Sequence, residues 1–396
     1  MTLRTSLCSI ACFASSTLLF APPPPGKGPN KDGGGDDGGD SGSETTSPQD
    51  HKDSQLPSLI EMGTSGGLGA DFANGYCCGG TLGALVTNGV ETYILSNFHV
   101  LASDVVLGGN GKTSVSHPII IHPALIDLGC IEANGTAVAD FAHAALPLVG
   151  SQIDDNEYYD YGNVDAAIAL VDEAVVDMTG SILGIGPISS STVEASPRQR
   201  VKKSGRTTGF TTSRVSGVAA TIRVAYEDEC AGQPIGTATF TNQIVVENKG
   251  SRFLAGGDSG SLMVEDVAES PRAVGLLYAG SSRTAIANPI DDVLSIWNLS
   301  MVGTNAQSSS AQLDGETSNS PAGANMRSAN AAQRRMSDRL LETRGVVGHG
   351  IGVGANGSSV IKVYVESAAN YDRGGVPPFI DGIRVEVEET GKIVAF

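Results

Sequence analysis

A serine flanked by glycines, in the run Gly256-Gly257-Asp258-Ser259-Gly260, is the feature that most constrains how this 396-residue chain can fold. An apolar run typical of a strand, Leu262 to Val264, follows directly. Glycines at this spacing allow a turn in which the N–H groups of Gly257 and Ser259 point into one small hole. A serine hydroxyl becomes a useful nucleophile when a base removes its proton and such groups stabilise the oxyanion. The alternative is a polar turn between two strands.

Two further stretches carry a histidine and an aspartate at strand ends. His99 follows an apolar strand, and Asp165 opens a small, apolar run that ends at Leu170. The order His, Asp, Ser is that of the chymotrypsin arrangement. On these motifs, roughly residues 63–299 resemble the chymotrypsin-like (trypsin-like) serine peptidases. The resemblance implies that His99 is the general base, Asp165 its orienting partner and Ser259 the nucleophile, with Gly257 and Ser259 forming the oxyanion hole.

Strand and turn signals fill the chain around these motifs. Residues 80–86 and 91–96 alternate about Asn88-Gly89, which is a strong hairpin signal. A helix is predicted where apolar residues recur at helical spacing, at Ile290, Val293, Leu294 and Trp297. Trp297 is expected in the core. We predict an all-β fold of two antiparallel β-barrels with a C-terminal helix, the architecture that the resemblance implies.

A second resemblance concerns the segment from Lys203 to Phe210. It is similar to the segment that opens the second barrel in secreted bacterial peptidases such as α-lytic protease and the streptogrisins. There, a basic residue pairs with the aspartate before the nucleophile, which implies that Lys203 supports the oxyanion loop through Asp258. The chain departs from those enzymes at Lys202 and Thr212, which replace cysteines, and at Ser261, which replaces a glycine. Arg206 is expected to be a turn charge exposed to water.

The substrate pocket is predicted beside Ser259. By motif, Phe253 stands six residues before the serine, where trypsin-type enzymes carry an acidic residue. Phenylalanine cannot neutralise a cation, so a preference for Lys or Arg side chains is disfavoured. Tyr278, Ala279 and Gly280 are expected to form the opposite wall, with the backbone of Gly280 free to pair with an extended substrate.

The remaining sequence is divided by composition. Residues 1–21 are predicted to be a secretory signal, and 22–56 a disordered acidic linker. Residues 57–301 form the predicted peptidase domain, 302–326 a second linker, and 327–396 a small α+β module with a short helix through Ala332 and Leu341. The protein is therefore expected to be secreted or periplasmic. Lipoprotein anchoring at Cys12 is the less favoured alternative.

Cysteines and histidines leave open how the chain is cross-linked. Four cysteines follow the signal, Cys77, Cys78, Cys130 and Cys230, and one of the first two is expected to pair with Cys130. A zinc site that uses His117 and His122 is the rival, but the chain has no paired Cys-x-x-Cys. We therefore predict no metal and no cofactor. His51 and His143 are expected to be ordinary histidines, and His349, between two glycines, a turn residue.

Two functions remain open at this point. The first is an exported serine endopeptidase that hydrolyses peptide bonds through an acyl-enzyme intermediate. The second is a secreted binding or self-processing protein on an inactive peptidase scaffold. The expected partners are a peptide or protein substrate and, within the chain, the C-terminal module. A net charge of −18 argues against a nucleic-acid partner, and no apolar run has the ~18 residues of a membrane span.

Overall fold

The computed structural model describes residues 47–73, 76–102, 112, 114–147, 158–226, 236–304 and 321–395. All of them belong to one compact unit, Glu44–Phe396. The predicted signal, Cys12, Cys230 and most of the two predicted linkers lie outside these residues, and the domain boundaries given above stay predictions. No helix within the described ranges is long and apolar enough to cross a membrane.

Strands dominate the described residues. The first twelve are β1 (Thr64–Leu68), β2 (Phe72–Ala73), β3 (Tyr76–Cys77), β4 (Gly80–Leu82), β5 (Ala84–Thr87), β6 (Thr92–Ser96), β7 (Ile119–His122), β8 (Thr136–Leu146), β9 (Tyr159–Tyr161), β10 (Ala166–Val171), β11 (Ser181–Ile182) and β12 (Gly186–Pro187). The other twelve are β13 (Arg200–Lys203), β14 (Thr211–Tyr226), β15 (Gly236–Glu247), β16 (Leu262–Glu265), β17 (Ala273–Gly280), β18 (Thr284–Pro289), β19 (Ser300–Met301), β20 (Val346–Val353), β21 (Ser359–Val365), β22 (Phe379–Ile380), β23 (Ile383–Glu389) and β24 (Val394–Ala395). The α-helices are α1 (Phe98–Leu101), α2 (Ile290–Ile296) and α3 (Pro321–Glu342), and short 3-10 helices cover Leu125–Leu128 and Glu132–Asn134.

The first barrel closes through a strand that is interrupted at one glycine. Only Gly83 separates β4 from β5, and its N–H still donates to the Leu95 carbonyl of β6 at 2.9 Å. Because β4 pairs with β1 and β5 pairs with β6, the order β5-β6-β10-β8-β7-β1-β4 returns to its starting point. These pairings are all antiparallel.

The turn between β5 and β6 shows how local sequence builds this barrel. The Asn88 side chain accepts hydrogen bonds from the N–H groups of Val90 and Glu91 at 2.9 and 2.8 Å. Gly89 has a φ of +90°, which glycine adopts without steric cost. The predicted hairpin is confirmed, and its second strand leads into α1, which carries His99.

The second barrel has the order β13-β16-β17-β18-β15-β14, and β14 pairs again with β13 to close it. Helix α2 follows β18 and buries Ile290, Val293 and Leu294, as their spacing predicts. Apolar residues from both barrels form one buried cluster, against which Trp297 packs half-buried. The predicted all-β fold with two antiparallel barrels and a C-terminal helix is confirmed.

The C-terminal residues continue the sheet of the second barrel. β20 pairs antiparallel with β14, and the sheet goes on through β21, β23 and β22. Helix α3 covers this extension and buries Ala329, Ala332 and Leu340 against it. The helix has 22 residues, longer than the short one expected, because alanines near its start favour helix and Pro321 suits its first turn.

The prediction of a turn at His349 is wrong. His349 lies within β20, is buried, and has its ring nitrogens 2.7 Å from Gln333 Nε2 and 2.9 Å from Ser337 Oγ. The flanking glycines allow close packing on β14. A Cβ at Gly348 would lie 2.6 Å from the Ile222 side chain.

The structure also shows how the cysteines pair and which groups His122 contacts. Cys77 and Cys130 form a disulfide, which confirms the expected pairing with Cys130, and Cys78 is disulfide-bonded as well. His122 is buried and uses both ring nitrogens, with Nδ1 2.7 Å from the Ser65 carbonyl and Nε2 3.3 Å from the Gln55 nitrogen. Among the described residues, no group of His, Cys, Asp or Glu side chains is arranged to hold a metal ion.

Candidate active site

His99 and Asp165 form a buried pair beside the adjoining ends of β6 and β10 in the first barrel. Helix α1 begins directly after β6 and carries His99, while Asp165 directly precedes β10, the neighbour of β6 in the sheet. The Nδ1 atom of His99 lies 2.7 Å from Oδ2 of Asp165, and Asp165 is fully buried. A carboxylate in this position fixes the orientation of the imidazole and keeps its proton on Nδ1.

All three oxygen atoms of Asp165 accept hydrogen bonds from neighbouring residues. Its Oδ1 accepts the Phe98 N–H at 2.7 Å, and its Oδ2 accepts the Tyr226 hydroxyl at 2.7 Å. The side-chain amides of Asn97 and Asn288 donate to its backbone carbonyl at 2.7 and 3.1 Å. Sequence reasoning missed Tyr226, Asn97 and Asn288, because they occupy ordinary strand and loop positions with no local motif.

Ser259 lies on the loop before β16, where the second barrel contacts the first. Its carbonyl accepts the Thr81 N–H at 2.8 Å, and its hydroxyl donates to the Tyr278 carbonyl at 3.3 Å. A Cβ added at Gly80 would meet both the Val100 side chain of α1 and the Ser259 carbonyl. The loop of Ser259 therefore packs beside the helix that carries His99.

The backbone before Ser259 turns as its glycines predict. The Asp258 N–H donates to the Ala255 carbonyl at 2.9 Å, and Gly257 and Gly260 have φ values of +89° and +90°. Within the part of the chain that the structure describes, the N–H groups of Gly257 and Ser259 donate no hydrogen bond. Both groups are thus available to an acceptor that the loop itself does not supply.

Lys203 and Asp258 are brought together beneath this loop. The Lys203 ammonium lies 3.3 Å from Oδ1 of Asp258, and both side chains are 0 % exposed. The carboxylate also accepts the N–H groups of Thr207, Thr208 and Ala255 and the Thr208 hydroxyl, at 2.8 to 3.0 Å. Burial lowers the pKa of Lys203, and the Asp258 carboxylate opposes that shift.

The expectation that Arg206 is exposed to water is wrong. Arg206 is 8 % exposed, and its Nε and Nη2 atoms each donate to one Asp127 oxygen at 2.6 Å. Asp127 lies in the 3-10 helix Leu125–Leu128 of the first barrel and also accepts the Ser65 hydroxyl. The bidentate pair therefore ties the segment that follows β13 in the second barrel to the first barrel.

The residues predicted to line the substrate pocket are all buried. Phe253, Tyr278, Ala279 and Gly280 each have less than a tenth of their surface exposed, and Asn248, which carried no sequence signal, links the segment of Phe253 to the residue after β17. Its side chain accepts the Phe253 and Leu254 N–H groups at 3.0 Å and donates to the Ser281 carbonyl at 2.7 Å. The backbone of Gly280 is not free as expected, because β24 pairs with it.

Two closed antiparallel barrels, with His99 and Asp165 on the first and Ser259 on the second, define a chymotrypsin-like, peptidase-type fold. The chain belongs to the Nal1 C-terminal domain family, whose sequence profile matches residues 63–288, more than half of its length.

Solved structures that resemble the chain include several bacterial serine proteases. A glutamic-acid-specific serine protease, described as using a histidine triad in substrate binding, is 18 % identical over 61 % of this chain and 100 % of its own, with a TM-score of 0.39. Protease A of Thermobifida fusca is 16 % identical over 62 % and 99 %, with a TM-score of 0.36. The Nocardiopsis protease is 14 % identical over 62 % and 98 %, with a TM-score of 0.37. No curated relative matches the chain.

Proposed function

We propose that this protein is an exported serine endopeptidase that acts through His99, Asp165 and Ser259. The observation that carries the proposal is the buried His99–Asp165 pair, with Nδ1 and Oδ2 2.7 Å apart, at the same barrel junction as Ser259. Such a pair leaves Nε2 of His99 as the base, because Nδ1 holds its proton toward the carboxylate. A metal or cofactor is not required for this chemistry.

The reaction proceeds in two halves. Ser259 Oγ attacks the peptide carbonyl carbon while His99 Nε2 takes the hydroxyl proton, and the resulting oxyanion accepts hydrogen bonds from the Gly257 and Ser259 N–H groups. His99 then gives the proton to the leaving amine, and an ester on Ser259 remains. Water, activated by the same imidazole, hydrolyses the ester and restores the free serine.

The Lys203–Asp258 pair supports the oxyanion loop in this proposal. Asp258 is turned inward, where Lys203 and the Thr207–Thr208 backbone hold it. An inward carboxylate keeps the Gly257 peptide in the orientation that leaves its N–H available. No newly cut N-terminus is needed to form that ion pair, so the loop has its shape in the uncut chain.

Export is supported by the disulfide between Cys77 and Cys130, since such bonds persist mainly in oxidising compartments. The predicted signal at residues 1–21 points to the same destination. Secretion or a periplasmic location therefore belongs to the proposal.

A second candidate function is a binding or self-processing protein on an inactive scaffold. Two observations favour it: Ser259 is 0 % exposed, and its hydroxyl donates to the Tyr278 carbonyl at 3.3 Å. A serine held in this way is shielded from an external substrate until the site opens.

A fluorophosphonate probe tests the proposal, because it labels only an activated serine. We expect mass spectrometry to find the label on Ser259, and Ser259→Ala and His99→Ala to abolish it. Ser261→Ala is the matched control, since Ser261 is buried two residues away and its hydroxyl donates to the Asp258 carbonyl. The same probe is applied to a chain that lacks residues 391–396. If Ser259 is labelled in neither protein while both are folded, the second candidate function stands.

A further inference from the structure

Strand β17 presents one edge along which the candidate nucleophile lies. β16 pairs with this edge at Leu276, and the loop after Ser259 continues it: the Gly260 N–H donates to the Leu277 carbonyl at 2.9 Å. Ser259 follows, with its hydroxyl on the Tyr278 carbonyl. The opposite edge of β17 is paired with β18 as far as Gly280.

Strand β24 takes the next two positions on the edge that holds Ser259. Ala395 pairs with Ala279 and Val394 with Gly280, in antiparallel register. β17 runs away from Ser259 between residues 278 and 280, so β24 runs toward it. A peptide that is to be cut by Ser259 would lie in this orientation, with its backbone added as a strand to β17.

The segment is held on its other side as well. The Ile393 carbonyl accepts the Ala225 N–H at 3.0 Å, and Val394 pairs in parallel with Ala225 of β14. The Ile393 side chain is 1 % exposed and belongs to the core shared by the two barrels. β24 thus lies between β14 and β17. Its partner on β14, Ala225, directly precedes Tyr226, whose hydroxyl donates to Asp165.

The residues just before β24, Glu389 and Thr390, are also held in place by hydrogen bonds and an ion pair. The Thr390 N–H donates to the Val365 carbonyl at 2.9 Å, and the Ser281 hydroxyl donates to the Thr390 carbonyl. Arg283 and Glu389 form an ion pair of 3.0 Å. The turn between β17 and β18 therefore holds the chain just before it enters the cleft.

We propose that β24 is a built-in inhibitor, which occupies the strand position of the substrate and must leave before a peptide can pair with Ala279 and Gly280. The inference rests on the proposed peptidase function. It agrees with the complete burial of Ser259 in this arrangement. The inhibitory strand lies outside residues 63–288, the part of the chain that matches the family.

The sequence of β24 also indicates which peptide substrates would compete with it for β17. A β-branched aliphatic residue lies opposite Gly280 and a small residue opposite Ala279. An extended substrate with the same two features presents the same backbone and side-chain shape to β14 and β17. Substrates of this class are expected to displace β24 most readily.

The test compares fluorophosphonate labelling rates of the full chain and of a chain that ends at Thr390. If β24 is bound at least nine-tenths of the time, the shortened chain is labelled at Ser259 about tenfold faster or more. Val394→Pro gives a second route that removes no residues, because proline lacks the N–H and disrupts strand pairing. Val394→Thr, which keeps both the N–H and the β-branch, is the matched control and retains slow labelling.

A peptide of residues 389–395 is then added to the shortened chain. It should slow labelling at about millimolar concentration, the range of effective concentration that a tethered segment has. A scrambled peptide should not. Thermal melting monitored by circular dichroism establishes that each protein is folded.

The outcomes separate the two proposals. Equal labelling rates at Ser259 in the full chain, the shortened chain and Val394→Pro overturn inhibition by β24 and leave the peptidase proposal standing. Absence of labelling in all of these folded proteins overturns both.

Discussion

The hydroxyl of Tyr226 lies 2.7 Å from Oδ2 of Asp165, and His99 Nδ1 lies 2.7 Å from the same oxygen. Tyr226 ends β14 in the second barrel, whereas Asp165 precedes β10 in the first. The carboxylate is therefore held by both barrels at once. Its position relative to His99 depends on how the barrels dock as well as on the first barrel alone.

Tyr226→Phe is expected to lower kcat about tenfold while KM stays nearly constant. The change removes a hydrogen bond to a charged group, and a tenfold loss corresponds to about 1.4 kcal/mol of barrier, near the lower end for such bonds. The measurement is steady-state hydrolysis of one peptide by the chain that ends at Thr390. Unchanged kcat would mean that Tyr226 has no role in positioning Asp165, and Asp165→Asn, expected to cost about 10⁴, sets the scale.

Lys203→Met is expected to reduce the free energy of unfolding by about 3 kcal/mol, since it leaves a buried carboxylate without its counter-ion. The four other donors to Asp258 keep the loss at the low end of the range for broken buried pairs. If Asp258 turns outward, the Gly257 N–H leaves the proposed oxyanion hole and kcat is expected to fall by about 10²–10³. Urea unfolding and kcat are measured together.

Lys202→Met is the control for that change. Lys202 points away from Asp258, and its ammonium donates to the Val267 carbonyl at 2.7 Å. Its substitution should leave kcat close to that of the parent chain. Equal losses of kcat in the two variants would contradict the role given to Lys203.

His349 should make the protein less stable in acid. Burial lowers its pKa from 6.5 to about 4, with Asp338 opposing the shift. Because the unfolded chain takes up the proton at higher pH than the folded one, stability is full above pH 6.5 and falls as the pH drops toward 4, by about 3 kcal/mol. His349→Gln should flatten this part of the curve of unfolding free energy against pH, whereas His117→Gln, at an exposed site, should not. If the curve of His349→Gln is the same as that of the parent chain, the loss of stability in acid does not come from His349.

Tyr364→Phe is expected to stabilise the protein by about 1 kcal/mol. Its hydroxyl is buried and has no hydrogen-bond partner among the described residues, and burial raises its pKa well above 10. Removing an unpartnered buried hydroxyl recovers its desolvation cost. The melting temperature should rise, in contrast to Tyr226→Phe, where a bonded hydroxyl is lost. A lower melting temperature for Tyr364→Phe would show that the hydroxyl has a partner after all.

Local sequence patterns predicted those parts of the candidate site that are built from residues close together in the chain. Asn88-Gly89 indicated the hairpin that leads to His99, and the glycines around Ser259 indicated the turned loop. The Lys203–Asp258 contact followed from a family resemblance rather than from local pattern. Tyr226, Asn248 and β24 reach the site through pairings between distant parts of the chain, which leave no periodic signal in their own segments.

The misjudged residues have a common cause. Arg206 looks like a turn charge in the sequence, and only the fold brings Asp127 of the other barrel to it. His349 looks like a turn residue in the sequence, because glycines flank it. In the structure these glycines allow β20 to pack closely on β14. Polar residues and glycines thus depend on tertiary partners, whereas apolar periodicity identified α2 directly.

Gly83 limits how the two barrels can change over evolution. A methyl carbon at this position would stand 2.0 Å from the Gly260 carbonyl oxygen, so the barrels meet there as peptide group against peptide group. No side chain is available at that contact to take up a change in spacing. Substitutions that enlarge or shrink the interior of either barrel must therefore preserve one fixed separation beside Ser259, which couples the sequence drift of the two barrels.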